Sequence, residues 1–297
     1  MSFAFERFAG RLRRDEPMSR HTSWHVGGPA EFFFEPEDRA DLAAFLRALP
    51  VEVPLTWVGL GSNLLVRDGG IKGAVICLHR ALGGLERRDT TDVWCEAGVP
   101  CARLARQCVR WQLGPAEFFA GIPGTLGGAL TMNAGAFGGE TWRHVTEVEV
   151  INRRGEERVR AASEYRTRYR HVQPPVSDEA FLAARLRFEQ QPAAQLEAIR
   201  DLLVERKAKQ PIGEWSCGSV FTNPPGQHAA QLIEACGLKG MRVGGASVSS
   251  KHANFIINQG EASAADLESL IRSVQQQVEA RFGVVLETEV RIVGEAA

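Results

Sequence analysis

Glycine restricts this chain more than any other residue, through where it falls. Thirteen of the thirty glycines lie in two windows, residues 59–73 and 114–139. The first begins GLGSNLLVRDGG, and the second contains AGIPGTLGGALTMNAGAFGG (120–139). Backbone without Cβ atoms can turn tightly and converge successive N–H groups on one anion, so such windows suit phosphate-sized concavities. Two tight surface loops are the plainer reading of the same glycines. Neither window carries a common nucleotide fingerprint. Leu64 stands where a G-x-G-x-x-G run needs its third glycine, and no GxxxxGK[ST] occurs, which leaves a Rossmann site and a P-loop without support. The stretch from Gly127 to Met132 is expected to open a short helix whose N-terminus could face a pyrophosphate.

Composition narrows the class. A chain of 297 residues suggests two domains at about 150 residues each. With 44% hydrophobic and 24% charged residues it is an ordinary globular sequence rather than a disordered or collagen-like one. Its net charge of −1 offers nothing to nucleic acid or a membrane surface. The uncharged run between Glu117 and Glu140 is 22 residues long, nominally enough to cross a bilayer. Seven glycines, Pro123 and Asn133 within it would break a lipid-exposed helix. The N-terminus, MSFAFERFAGRLRRDEP, has charges where a signal peptide needs an apolar core. Six cysteines with no CxxC pair read as reduced, mostly buried thiols of a cytoplasmic protein. His21 and His25 are four apart in a strand-like segment, and no metal site is expected.

Periodicity predicts an α+β organisation. Residues 21–36 read as strand, Gly-Gly turn and strand, and 38–49 as a helix ended by Pro50. Strands follow at 55–59 and 74–78, a helix at about 100–113, a hairpin at 145–160 turning at Arg154-Gly155, and a strand at 181–188. QQPAAQ (190–195) is the expected domain boundary. Beyond it come helices to about Lys209, at 227–236 and at 264–282, the last opening with the capping-box pattern Ser263-x-x-Asp266. Alternation in VVLETEVRIV (284–293) predicts a closing strand with Glu287, Glu289 and Arg291 on one face.

GLGSNLLVRDGG followed some fifty residues later by GIPGTLGGALTMNAGAFGGE resembles the paired flavin loops of the UDP-N-acetylenolpyruvoylglucosamine reductase family, whose FAD-binding (PCMH-type) superfamily includes vanillyl-alcohol oxidase. HTSWHVGGPA (21–30), Tyr165-Arg166, CGSVFTNP (217–224), GLKGMRVGGASVSSKHANFIIN (237–258) and LETEVRIVGE (286–295) resemble further family motifs in order. The likeness is to the family's shorter subtype. It implies an FAD-binding domain over 20–190 and a smaller α+β substrate-binding domain over 195–297, with the last strand returning to the FAD domain. It also implies reduction of an enolpyruvyl UDP-sugar by NADPH through FAD in peptidoglycan synthesis, with no protein partner required. An FAD-dependent alcohol oxidase, or an inactive binding protein of the same fold, is the competing reading.

Residue by residue, the resemblance implies cofactor contacts from Gly59, Gly61, Ser62, Asn63 and Leu64, and from Gly121, Pro123, Gly124, Gly127, Gly128, Asn133, Ala134 and Gly135. Arg166 is the candidate cation for the substrate carboxylate, because its planar fork grips a carboxylate in a bidentate way. Arg168 and Arg170 stand where the family has serine and an aromatic. Ser219 is the candidate proton donor, although on its residues alone it is an ordinary turn serine, with Ser216 and the Cys217 thiol as competitors. Glu289 is the candidate partnering acid; without the resemblance it would read as a solvated carboxylate paired with Arg291. Tyr165, Lys209, Asn223 and Asn254 are the candidate substrate contacts. Thr222 stands where lysine is common.

Overall fold

The computed structural model describes Phe8, residues 11–193 and residues 196–297. The chain divides into two compact units. The first holds the described residues up to Arg14, then Phe32–Leu60 and Gly73–Glu205; the second holds Asp15–Glu31, Gly61–Lys72 and Arg206–Ala297. This differs from the expected domains at 20–190 and 195–297. Two early excursions of the chain belong with the C-terminal residues, and the late crossing falls at Glu205/Arg206. Ala194 and Gln195 of the expected linker lie outside the described residues.

In the first unit, helix α1 (Arg39–Ala48) starts where Asp38 accepts a hydrogen bond from the Asp41 N–H at 2.8 Å, a standard N-cap that satisfies one orphan donor. Its Leu42, Phe45 and Leu46 are buried, and Phe45 stacks on Phe34 with ring centroids 4.0 Å apart. Helix α2 (Cys101–Arg110) begins after Pro100 and buries Cys101, Leu104, Ala105, Cys108 and Val109, a spacing that lines one helical face. Helix α3 (Leu126–Met132) lies inside the second glycine window. A five-stranded antiparallel sheet runs in the order Glu157–Ala161, Val145–Asn152, Glu179–Arg187, Asp92–Glu96, Leu85–Arg87. Leu55–Val58 and Ile71–Cys77 pair in parallel, Leu55 opposite Ala74. Helix α4 (Leu196–Lys209) carries the chain out of this unit.

The second unit packs helices α5 (Ala229–Ala235) and α6 (Ala264–Phe282) around a core that includes Trp24, Leu65, Phe221, Ile233 and Leu270. The capping box opening α6 is present as read from the sequence, and Asp68 adds to it by accepting from the Ala264 and Ala265 N–H groups, both at 2.9 Å. Strands Arg242–Val243, Ala246–Val248 and Ile256–Asn258 form an antiparallel sheet. Leu64–Val66 pairs in parallel with Arg291–Val293.

Three expectations need correction. Only Arg291–Val293 of 284–293 is a strand; upstream the chain makes a single bridge, Thr288 to Phe221. Its alternation arises because one side rests on the core through Leu286 and Val290, and a ladder is not needed for that. Residues 21–28 form turns and bends in place of the expected first strand, with His25 at φ 57° and Gly27 at φ 126°. Finally, Leu12–Pro17 is a strand, although periodicity predicts no element before residue 21. No helix is long and apolar enough to cross a membrane among the described residues.

Asp92 is 1% exposed, and Arg187 grips it through Nε at 2.7 Å and Nη2 at 3.0 Å. Those hydrogen bonds hold its carboxyl below the usual 3.8 despite the opposing effect of burial. A depressed carboxyl stabilises the fold fully above its unfolded value and loses that contribution as pH falls through the folded one. Asp92→Asn should therefore lower stability near neutral pH by about 1–3 kcal/mol. The gap from the parent should shrink as thermal melts are repeated below about pH 4.

Candidate active site

Within the second unit, one hydrogen-bonded chain ties together four segments far apart in sequence. The Asn63 side-chain amide donates to the Glu289 carbonyl at 3.0 Å, and the Arg291 N–H returns a bond to the Asn63 carbonyl at 3.1 Å. The Glu289 N–H donates to the Val220 carbonyl at 2.8 Å, next to Ser219. The Val220 N–H donates to the Asn254 carbonyl at 2.9 Å, and the buried Asn254 amide brackets Phe221, accepting from its N–H at 2.9 Å and donating to its carbonyl at 2.8 Å. Gly218, at φ 75°, makes the turn that presents Ser219. First glycine window, serine loop and C-terminal arm are thus held together, with the Ser219 and Glu289 side chains half-buried.

Cys217 belongs to the same lacing. It is buried, its Sγ lies 3.5 Å from the Leu64 carbonyl and 3.7 Å from that of Gly61, and burial pushes its thiol up to about 12. A buried thiol turned to two backbone carbonyls is closed off from any bound substrate, which weakens it as a rival to the half-buried Ser219. Asn254, expected as a substrate contact, spends its amide on the serine loop. Asn223 accepts from the Ala229 N–H at 3.0 Å, at the start of α5, and Lys209 is exposed at the end of α4. His21 bonds Glu16 at 2.8 Å and the His25 ring lies against Trp215, their centroids 4.5 Å apart.

Within the first unit, Tyr165 is buried against Trp142 and Phe181, with ring centroids 4.7 and 5.9 Å away, and burial raises its phenol to about 12. Arg166 follows, exposed, opening the strand Arg166–Arg168 that pairs with His171–Gln173. This hairpin is fixed to the second glycine window. Asn133, at φ 48° and 2% exposed, donates to the Arg168 carbonyl at 3.2 Å and accepts from the Trp142 N–H at 3.0 Å. Arg170 donates to the Gly135 carbonyl at 3.0 Å. The hairpin is therefore docked through the backbone of Arg168 and the side chain of Arg170. Trp142, whose indole N–H caps the Leu130 carbonyl at 2.7 Å, went unnoticed in the sequence because nothing local marks it.

The comparisons with known proteins agree along the length of the chain. A profile for the FAD binding domain matches residues 30–160, and one for the UDP-N-acetylenolpyruvoylglucosamine reductase C-terminal domain matches 210–293. The reductase of Alkalilimnicola ehrlichii is 57% identical, with 97% of this chain and 96% of that protein covered. The chain belongs to the UDP-N-acetylenolpyruvoylglucosamine reductase family. The reductase of Methylococcus capsulatus is also 57% identical, over 97% of this chain and 94% of its own. The crystal structure of the Thermus caldophilus reductase superposes with a TM-score of 0.80 at 34% identity, covering 95% of this chain and 98% of that one. Membership makes the protein a flavin-dependent oxidoreductase that binds FAD.

The glycines test whether the windows fit that cofactor, and most answer to the chain itself. A Cβ on Gly61 would lie 1.9 Å from the His21 carbonyl oxygen, so the first window needs glycine there to pass its own backbone. The first two amides of α3 are likewise engaged, Leu126 to Val99 at 2.9 Å and Gly127 to Ala97 at 2.8 Å. Gly128 is different. A Cβ there would meet only Thr125 Oγ1, at 3.9 Å, yet glycine in a helix costs about 1 kcal/mol against alanine. A site that bears this cost with no neighbour demanding it fits a group outside the chain coming close to the backbone, as FAD would. The residues present fit the cofactor.

Removing the Asn254 side chain should loosen the serine loop. Asn254→Ala is expected to lower stability by about 1–3 kcal/mol, read as a lower Tm, because it strands two backbone groups of buried Phe221. A thiol reagent near pH 8 should label Cys236, the one half-buried cysteine, and spare Cys217, Cys101 and Cys95 until the protein unfolds. Mass spectrometry of the native protein then shows one adduct.

Proposed function

We propose that the protein reduces the enolpyruvyl ether of UDP-N-acetylglucosamine to UDP-N-acetylmuramate in the cytoplasm, with NADPH as reductant and Arg166, Ser219 and Glu289 as the working side chains. The family supports the reduction itself. The free state of all six cysteines is in keeping with a reducing compartment. The observation that carries the assignment of residues is the run of bonds from Asn63 through Glu289 to Val220. Those bonds tie the candidate acid and the candidate donor's loop to Asn63 of the first glycine window, which supports this reading.

The chemistry that FAD supplies when bound is acceptance of hydride from NADPH and delivery of hydride to the terminal carbon of the enolpyruvyl group. Delivery drives negative charge into the substrate carboxylate. The guanidinium of Arg166 offers two parallel donors to that carboxylate, a stronger match than a lysine ammonium could make. Glu289, in protonated form, would share its proton with the same carboxylate as charge develops, and stabilisation confined to that moment is what lowers a barrier. Ser219 Oγ then gives a proton to the carbon beside the carboxylate. A hydroxyl is a weak acid, so its short-lived alkoxide needs donors held in place. A loop fixed by Asn254 and Glu289 is rigid enough to keep them there.

Ser219→Ala separates the two halves of the reaction. Under anaerobic conditions NADPH should bleach the flavin of the variant at the parent rate, while reoxidation by the enolpyruvyl substrate slows by a factor on the order of a hundred or more. Equal slowing of both phases would remove Ser219 from the donor role. Bleaching in the parent with no reoxidation by substrate would sink the reductase assignment and favour an oxidase or an inactive binder.

A further inference from the structure

Two carboxylates lie beside the Tyr165-Arg166 segment, and one guanidinium holds both. Arg160 donates from Nε to Glu179 Oε2 at 2.5 Å and from Nη2 to Glu179 Oε1 at 2.7 Å, while its Nη1 donates to Glu164 Oε2 at 2.8 Å. The other oxygen of Glu164 accepts from the Ala161 N–H at 2.9 Å. The arrangement is well enclosed around Arg160 and Glu179, whose side chains are 13% and 5% exposed.

Glu164 is the acid nearest to Arg166 in sequence. Tyr165 has an extended backbone, φ −100° and ψ 143°, and turns its ring into the core. Glu164 closes a 3-10 turn (Ala162–Glu164) and Arg166 opens the strand that follows, so both are exposed on either side of the buried Tyr165. An acid beside an exposed arginine ordinarily pairs with it. Here Glu164 is occupied by Arg160 and Ala161, and Arg166 has no acidic partner among the described residues.

We propose that Arg160 is a positioning residue that keeps Arg166 available to the substrate carboxylate by holding Glu164 away from it. A free carboxylate of the protein would compete with the carboxylate of the substrate for the same planar fork. Arg160 removes that competitor without touching substrate. This rests on Arg166 being the carboxylate-binding residue.

The test measures equilibrium binding of the enolpyruvyl substrate to the oxidised holoenzyme by calorimetry, with melting temperature and the rate of flavin reduction by NADPH as controls. Arg160→Gln should weaken substrate binding about three- to fivefold, the competition a partly exposed ion pair can exert, and leave NADPH reduction unchanged. Adding Glu164→Gln should restore binding, whereas Glu164→Gln alone should have no effect. Should Arg160→Gln not fold, Arg160→Lys serves: it keeps the charge beside Glu179, lacks the fork for both acids, and should give a smaller loss that Glu164→Gln again rescues. Absence of rescue, or unchanged binding in both Arg160 variants, overturns the proposal. Arg166→Gln separates this from failure of the underlying assignment. Unchanged substrate binding in that variant removes Arg166 itself, while weakened binding there with intact Arg160 variants removes only the role given to Arg160.

Discussion

The parallel pairing of Leu64–Val66 with Arg291–Val293 is the constraint on which the second unit depends. A parallel pair always needs a crossover, most often a helix of modest length. Here three-quarters of the chain lies between the two partners. Closing so long a loop costs only slightly more than closing a short one, since the entropy grows with the logarithm of length. What must offset it is burial at the junction, and Leu65, Leu286, Val290, Trp24 and Phe221 share one apolar core there. Once the pair forms, Asn63 is in register to take the Glu289 carbonyl. The polar lacing of the candidate site is therefore a by-product of strand register, and a slip by one residue would turn its side chains to the wrong face.

The arginines of the first unit show a second organising rule. With roughly as many acids as bases, most internal arginines find partners. Arg39 meets Glu96 and Glu149, Arg187 meets Asp92, and Arg160 meets Glu164 and Glu179. Each such pair adds little on the surface and more where burial removes competing water. Their larger effect is on which cations stay open. Arg166, exposed on its hairpin, is among the arginines that these acids leave open.

Local features of the fold were legible in the sequence because their causes are local. Asp38 and Ser263 mark helix starts through bonds to N–H groups three residues on, and Gly155 at φ 70° marks a hairpin turn. Both signals need only a few neighbouring residues. The strand expected across 284–293 failed for the opposite reason: its alternation records contact with a core assembled elsewhere. Asn254 and Cys217 both turn polar atoms to neighbouring backbone, and polarity in a short motif looks alike whether it faces a ligand or a loop. The glycine windows divide in the same way. Their density was visible at once, but only coordinates distinguish Gly61, pressed on the His21 carbonyl, from Gly128, which faces space.

The interleaving of the two units bears on how this protein can be divided and exchanged. A fragment covering only 206–297 would lack Trp24, Leu65 and the strand partner of Arg291–Val293. It would expose an apolar surface and an open strand edge, both of which promote aggregation. The second unit therefore cannot be moved to a new host by a single genetic junction. Transplanting it requires three cooperating pieces of sequence, and recombination that carries only the last would tend to yield insoluble chains.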